Sequence, residues 1–189
     1  MLASSTTQEL PQTLRSSVPG PWWVPVSVIV AVVAGASVTF GFSVFTLVCW
    51  VVSVPVMLAG WTDLRTRMLP LPLTLTALGA ATAGVLVAGF ADPAASVRAV
   101  SAGVVTFMVL TVIGAVLKPY AFGDVLLATP LAMLLGFCGW PYLAAFPLVT
   151  SLVAFPGAVI AVVRARSMST EMPLGPPMIV ATIVLLAFG

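Results

Sequence analysis

Two of the five acidic residues, Asp63 and Asp124, occupy positions where a pair of carboxylates could catalyse hydrolysis. Asp63 follows an apolar run that ends at Trp61, and Asp124 precedes another that begins at Val125. Two carboxylates held a few ångströms apart share one proton, because both cannot ionise cheaply in one site. The ionised member can take a proton from a water that attacks a peptide carbonyl, while the protonated member polarises that carbonyl.

The same two aspartates also have ordinary structural explanations. Asp63 would be a loop carboxylate offset by Arg65 and Arg67, and Asp124 would be a helix N-cap, a position that aspartate favours. The three other acidic residues fall in a polar tail, a turn and a loop: Glu9, Asp92 and Glu171. Residue type and spacing alone leave the catalytic and the structural interpretations open.

Metal and haem chemistry lack ligands in this sequence. It contains no His, and its two cysteines, Cys49 and Cys138, lie far apart inside apolar runs. Neither a disulfide framework nor a C-x-x-C metal site can be built from them. We therefore expect packing roles for both cysteines, and neither a metal nor another cofactor.

The composition indicates that these carboxylates belong to a membrane protein. Hydrophobic residues make up 61% of the 189 residues and charged residues only 6%, and the mean hydropathy is +1.21. Apolar runs reach the ~20 residues that a membrane-spanning helix needs. The net charge of +2 comes from scattered basic residues, which gives no reason to expect nucleic acid. We predict an all-α integral membrane protein, a polytopic helix bundle in the lipid bilayer.

The apolar runs predict about six to seven transmembrane helices. Residues 1–21 are polar and rich in Ser, Thr, Gln and Pro, as in a disordered tail, and residues 22–189 form the transmembrane domain. The run from Trp22 to Trp61 fits a tight hairpin of two helices broken around Phe40-Gly41-Phe42-Ser43. The other helices are expected at about 71–90, 97–117, 125–139, 142–163 and 177–189.

Basic residues predict the orientation of the bundle. Seven crossings leave Arg98 alone near one face, while six basic residues share the other: Arg15, Arg65, Arg67, Lys118, Arg164 and Arg166. By the positive-inside rule the six-residue face is cytoplasmic, so the N-terminus is inside and the C-terminus is external. Asp63 and Asp124 then reach the same cytoplasmic face.

Three segments on this face resemble the motifs of the type IV prepilin peptidases. Asp63 to Pro70, an aspartate at a helix end followed by a basic loop and a Leu-Pro pair, resembles their first motif. Gly123-Asp124 at the start of a helix resembles their G-x-G-D motif. Arg164 to Arg166, followed by Pro173-Leu174-Gly175-Pro176, resembles the basic loop and P-F-G-P turn before their last helix. The similarity covers roughly residues 45–189.

This resemblance implies an aspartic endopeptidase of the plasma membrane that removes the leader peptide of type IV prepilin-like precursors at the cytoplasmic face. Asp63 and Asp124 would be the catalytic pair, and Gly123 would allow close backbone approach beside the second carboxylate. Four further residues would shape the site: Pro70, Pro173, Gly175 and Pro176. The last three also suit a loop that simply begins a helix. The family's larger members carry a methylating domain with paired C-x-x-C motifs. The present chain resembles the small members that serve tight-adherence pili.

The sequence departs from the family's motifs at three positions, and other functions remain as alternatives. Ala121 replaces the first Gly of G-x-G-D, Leu126 stands where Lys is frequent, and Leu71 replaces a polar residue. A small transporter or proton-coupled membrane component also uses membrane carboxylates, although usually near the midplane. A presenilin-like protease would need a P-A-L motif, which is not present. A structural subunit of a secretion system is the remaining alternative.

Overall fold

The computed structural model describes residues 23–66, 69–117, 122–165 and 174–188, and these contain seven α-helices. No β-strand occurs within the described ranges. In chain order the helices are α1 (Trp23–Phe40), α2 (Val44–Thr66), α3 (Leu71–Ala88), α4 (Pro93–Leu117), α5 (Phe122–Cys138), α6 (Trp140–Ala165) and α7 (Gly175–Ala187).

These helices confirm the predicted all-α polytopic bundle of a membrane protein. Four of them, α2, α3, α4 and α6, are long and apolar enough to cross a membrane, and α1, α5 and α7 are shorter apolar helices. The predicted hairpin of α1 and α2 is also confirmed. Gly41, in the break between them, has φ +63°, a left-handed conformation that glycine adopts without steric cost. The tail predicted over residues 1–21 lies outside the described residues.

Four helix starts differ from those predicted. α4 begins at Pro93 rather than 97, because Oδ1 of Asp92 accepts a hydrogen bond from the N–H of Ala95 at 2.9 Å and so caps the helix. The break predicted over residues 139–141 is Gly139 alone, with φ +150°, so α6 begins at Trp140 rather than 142. α5 begins at Phe122 rather than 125, and α7 runs over 175–187 rather than 177–189.

The centre of the bundle is α5, where every residue from 124 to 136 is buried. α4 and α3 make the most extensive contacts with α5. α4 and α6 nevertheless expose most of their apolar surface to the outside. Two glycines make the close packing possible. A Cβ atom at Gly84 would lie 2.6 Å from Val48, and one at Gly103 would lie 2.6 Å from Met133. Such small residues let helix backbones approach in lipid.

Successive helices alternate in direction, which gives the bundle two distinct ends. The Asp63 end holds the last turn of α2, the first turns of α3 and α5, and the start of α7. The Asp92 end holds the other termini of these helices, together with the starts of α4 and α6. Two hydrogen bonds join helices at this end. There Nη2 of Arg98 donates to the carbonyl of Phe137 at 3.3 Å, and the hydroxyl of Tyr142 donates to the carbonyl of Phe188 at 3.1 Å.

Candidate active site

Asp63 lies one turn before α2 ends at Thr66, and its side chain points into the bundle. Only 4% of its surface is exposed. Oδ2 of Asp63 accepts a hydrogen bond from the backbone N–H of Gly175, at 3.2 Å. A carboxylate removed from water needs such a donor. At the same end of α2, the guanidinium of Arg65 lies over the ring of Trp61, 4.6 Å from its centroid.

The start of α7 explains why Gly175 supplies that donor. The first N–H groups of an α-helix have no partner within the helix. Pro176 and Pro177 follow Gly175 and carry no N–H at all, and the N–H of Met178 already donates to the carbonyl of Leu174 at 3.2 Å. The N–H of Gly175 therefore needs an acceptor from another helix, and Asp63 provides it.

Gly175 also leaves the space that Asp63 occupies. A Cβ atom at position 175 would lie 2.8 Å from Oδ2 of Asp63 and 3.4 Å from Cδ2 of Leu127. The first distance is shorter than real Cβ contacts allow, and a hydrogen-bonded carboxylate has little freedom to move away. Glycine at this position is therefore a condition of the contact between α2 and α7.

Asp124 is the third residue of α5 and is 8% exposed. It lies inside the first turn of the helix, so it does not occupy the N-cap position that its place in the sequence suggested. A negative charge in the first turn of a helix interacts favourably with the helix dipole. That interaction explains why an acidic residue occurs in the first turn of α5. It does not explain why the side chain of Asp124 is buried.

Leu127 connects the surroundings of the two aspartates. This fully buried residue of α5 lies against Gly175, which is bonded to Asp63. Asp124 precedes Leu127 by three residues on the same face of α5, about 4.5 Å along the helix axis. Asp63 and Asp124 thus flank one contact between α2, α5 and α7. Sequence reasoning missed Leu127, because only its position between neighbouring helices distinguishes it from the other leucines of α5.

Gly123 and Pro70 place the neighbouring segments. A Cβ atom at Gly123 would lie 2.9 Å from Cβ of Leu69, so the start of α5 approaches the segment before α3 closely. Pro70 is the N-cap of α3, with φ −66° and ψ 118°. Its carbonyl accepts the N–H groups of Leu73 and Thr74 at 3.0 and 3.2 Å. Pro176 lies in the first turn of α7, and Pro173 lies outside the described residues.

Helix lengths place the start of α7 well short of the end of α6. The bond between Tyr142 and Phe188 aligns α6 and α7 at the Asp92 end. From that level α6 continues to Ala165, whereas α7 reaches only to Gly175, about 35 and 20 Å respectively at 1.5 Å per residue. The start of α7, with Asp63 bonded to it, therefore lies about 15 Å short of the end of α6.

The other acidic residue that the structure describes, Asp92, does not join this site. Asp92 caps α4 at the opposite end of the bundle. Glu9 and Glu171 lie outside the described residues. Where the structure describes the chain, no three His, Cys, Asp or Glu side chains are grouped so that they could hold a metal ion. What the site offers is two buried carboxylates and a backbone N–H.

Comparisons of the chain with models of protein families, with curated proteins and with solved structures gave no match.

Proposed function

We propose that this protein is a membrane aspartic endopeptidase of the prepilin peptidase type, with Asp63 and Asp124 as its catalytic pair. The observation that carries the proposal is the contact of Asp63 with Gly175 and, through Gly175 and Leu127, with the first turn of α5 that holds Asp124. Burying two carboxylates at adjoining helix ends of a membrane protein is energetically unfavourable, and such residues are typically functional.

The segments that resemble the family's motifs meet at one end of the bundle, which supports the proposal. Asp63 and Pro70 end α2 and begin α3, Gly123 and Asp124 begin α5, and Gly175 begins α7. A resemblance carried by chance would scatter these residues over both ends. All five instead lie at the Asp63 end of the bundle.

In the proposed reaction, the ionised carboxyl takes a proton from a water molecule as the water attacks the scissile carbonyl. The protonated carboxyl donates a hydrogen bond to the carbonyl oxygen and stabilises the charge that develops there. The N–H of Gly175 holds Oδ2 of Asp63 and fixes the plane of that carboxyl. Because Oδ2 accepts this bond, a proton carried by Asp63 belongs on Oδ1.

The substrates in this proposal are prepilin-like precursors, and the leader is removed at the cytoplasmic face of the plasma membrane. The Asp63 end is then cytoplasmic, with the N-terminus of the chain inside and its C-terminus outside. Arg65 at that end and Arg98 near the other follow the distribution that led to this orientation.

Co-expression with a pilin-type precursor tests the proposal, with mass spectrometry of the precursor's N-terminus as the readout. The wild-type protein should remove the leader at one bond, and the Asp63→Asn variant should leave the precursor intact. A precursor that keeps its leader in the presence of abundant wild-type protein in the membrane would contradict the proposal.

A further inference from the structure

A cleft of about 430 Å³ opens between α4 and α6. Its walls are largely apolar, with Val109 and Leu110 on α4 and Pro147 and Ala154 on α6. α4 and α6 are also the two long helices with the smallest buried share, so the cleft faces the lipid. Its volume lies within the roughly 300–1,000 Å³ of ligand-binding pockets.

One polar group in the cleft has no partner. Thr150 is 9% exposed, and its hydroxyl oxygen makes no hydrogen bond among the described residues. The neighbouring Ser151 shows the usual solution, because its hydroxyl donates to the carbonyl of Pro147 at 2.8 Å. Burying a hydroxyl without a partner is unfavourable. Thr150 is therefore a hydrogen-bonding group in an apolar wall, and an occupant of the cleft can satisfy it.

The cleft reaches the candidate active site at its floor. Leu174 and Met178 of the α7 segment line it, and Leu174 directly precedes Gly175, which is bonded to Asp63. An occupant that extends along the cleft toward the Asp63 end thus arrives within a few residues of the carboxylates.

We propose that the cleft between α4 and α6 receives an apolar, membrane-embedded helix of the substrate polypeptide and delivers the bond to be cut to Asp63 and Asp124. This inference rests on the proposed function, and it assigns that function a lateral entry from the lipid. The helix packs against the apolar side chains of both walls, and one of its polar groups pairs with Thr150.

A helix suits this cleft better than a lipid chain does. Thr150 is eight residues along α6 from Tyr142, or about 12 Å from the Asp92 end, a depth at which acyl chains offer no hydrogen-bonding atom. A polypeptide at that depth is helical, and Ser, Thr and backbone carbonyls of one membrane helix do accept bonds from another. The small residues near Thr150 on α6, Ser151 and Ala154, also permit the close approach that such a bond requires.

Photocross-linking tests the occupant directly. Benzoylphenylalanine replaces Leu110, which lines the cleft, or Met108, which is 62% exposed on the same helix and does not line it. Both variants carry Asp63→Asn, so that a co-expressed pilin-type precursor is not consumed. Position 110 should capture the precursor, and position 108 should capture lipid or nothing. Lipid adducts alone at position 110, no adduct there, or equal capture of the precursor at both positions would overturn the inference.

The same cells separate this inference from the proposed function. Leader removal by the protein without Asp63→Asn is measured in parallel. Removal of the leader without capture at position 110 would overturn the lateral entry and leave the peptidase in place. Capture at position 110 without any leader removal would leave the helix site in place and contradict the peptidase.

A second variant, Thr150→Val, tests the role of the hydroxyl. It should raise the KM for a detergent-solubilised pilin-type precursor about three- to tenfold, with kcat unchanged, because one hydrogen bond to the substrate is lost. It should also raise the melting temperature of the free protein by about 2–4 °C, since an unpaired buried hydroxyl becomes a methyl group. A merely structural hydroxyl would lower the melting temperature when removed.

The matched control is Thr76→Val on α3. The hydroxyl of Thr76 donates to the carbonyl of Pro72 at 2.7 Å, and the residue is exposed away from the cleft. This variant should leave the KM within about twofold, a change well below the effect of a lost hydrogen bond. An unchanged KM in Thr150→Val, a lower melting temperature, or an equal rise of KM in Thr76→Val would contradict a hydrogen bond to the substrate.

Discussion

Oδ2 of Asp63 accepts the backbone N–H of Gly175 at 3.2 Å, a bond that joins the last turn of α2 to the first residue of α7 across 112 positions of sequence. The bond satisfies a helix N-terminus whose next two residues are prolines. It also fixes one oxygen of a carboxyl that, in the proposed mechanism, exchanges a proton with water. Asp63 thus has a structural role and a proposed chemical one, and suitable substitutions separate the two.

Substitutions at Asp63 are expected to affect stability and catalysis differently. Asp63→Asn keeps an acceptor oxygen for the N–H of Gly175, so its free energy of unfolding should stay within about 1 kcal/mol of the wild type. Asp63→Ala leaves that N–H buried without a partner and should cost about 1–3 kcal/mol. Thermal unfolding in detergent measures both. Equal stability of the Ala variant and the wild type would show that the bond contributes nothing.

Gly175→Ala should disturb the site without removing a carboxylate. The added Cβ would meet Oδ2 of Asp63 at 2.8 Å, so either the carboxyl or the start of α7 must shift. Overpacking of this kind costs about 1–3 kcal/mol, and a displaced catalytic group can lose about 10²-fold in rate. Leader removal and thermal unfolding are the measurements.

Gly79→Ala is the control for that substitution. Gly79 lies within α3, and a Cβ there would meet nothing within 4 Å. Alanine favours a helix over glycine by about 1 kcal/mol, so this variant should be as stable as the wild type or more so, with normal processing. Equal effects of the two substitutions would show that the close contact of Gly175 with Asp63 does not matter.

The sequence was sufficient to predict the helix bundle, because the signals for each helix lie within a short stretch of neighbouring residues. Apolar runs mark the helices, and Gly41 marks the break between α1 and α2. The starts of α4 and α6 were missed although local signals existed. Asp92-Pro93 is an N-cap followed by a proline in the first turn, and Pro141 is compatible with the first turn of α6.

The site could be predicted only in part. Asp63 and Asp124 stand out because few acidic residues occur in the chain, and the count of crossings assigns them to one end. The contact of Asp63 with Gly175, the contribution of Leu127 and the unpaired hydroxyl of Thr150 all depend on which helices are neighbours. Apolar periodicity carries little information on neighbours in lipid, because both lipid and protein accept apolar faces.

The orientation of the bundle is testable with reporter fusions. Reporters inserted in residues 61–70, 118–123 and 164–176 should report the cytoplasm, and those inserted in residues 41–43 and 89–92 should report the outside. The expectation follows from the excess of basic residues at the Asp63 end. An external signal from any of the first three segments would separate the aspartates from the cytoplasmic leader peptide and contradict the proposed substrate.

The dependence of leader removal on pH should be bell-shaped. Activity requires one protonated and one ionised carboxyl, so it should fall in acid as both become protonated and in alkali as both become ionised. The rate with a solubilised pilin-type precursor, measured across pH, gives the profile. A metal chelator should leave the rate unchanged, and inhibition that zinc reverses would indicate a metalloenzyme instead.

The central claim is that Asp63 and Asp124 act together as the catalytic pair, and leader removal by their Asn variants tests it most directly. Asn retains the size and an acceptor oxygen of Asp but cannot exchange the carboxyl proton. Asp92→Asn is the matched control, since Asp92 caps α4 at the opposite end and Asn caps nearly as well. With all three variants at normal abundance in the membrane, Asp63→Asn and Asp124→Asn should each slow processing about 10²–10⁴-fold, and Asp92→Asn should process normally. Processing at near wild-type rate by either variant of the pair would make that aspartate structural and contradict the account.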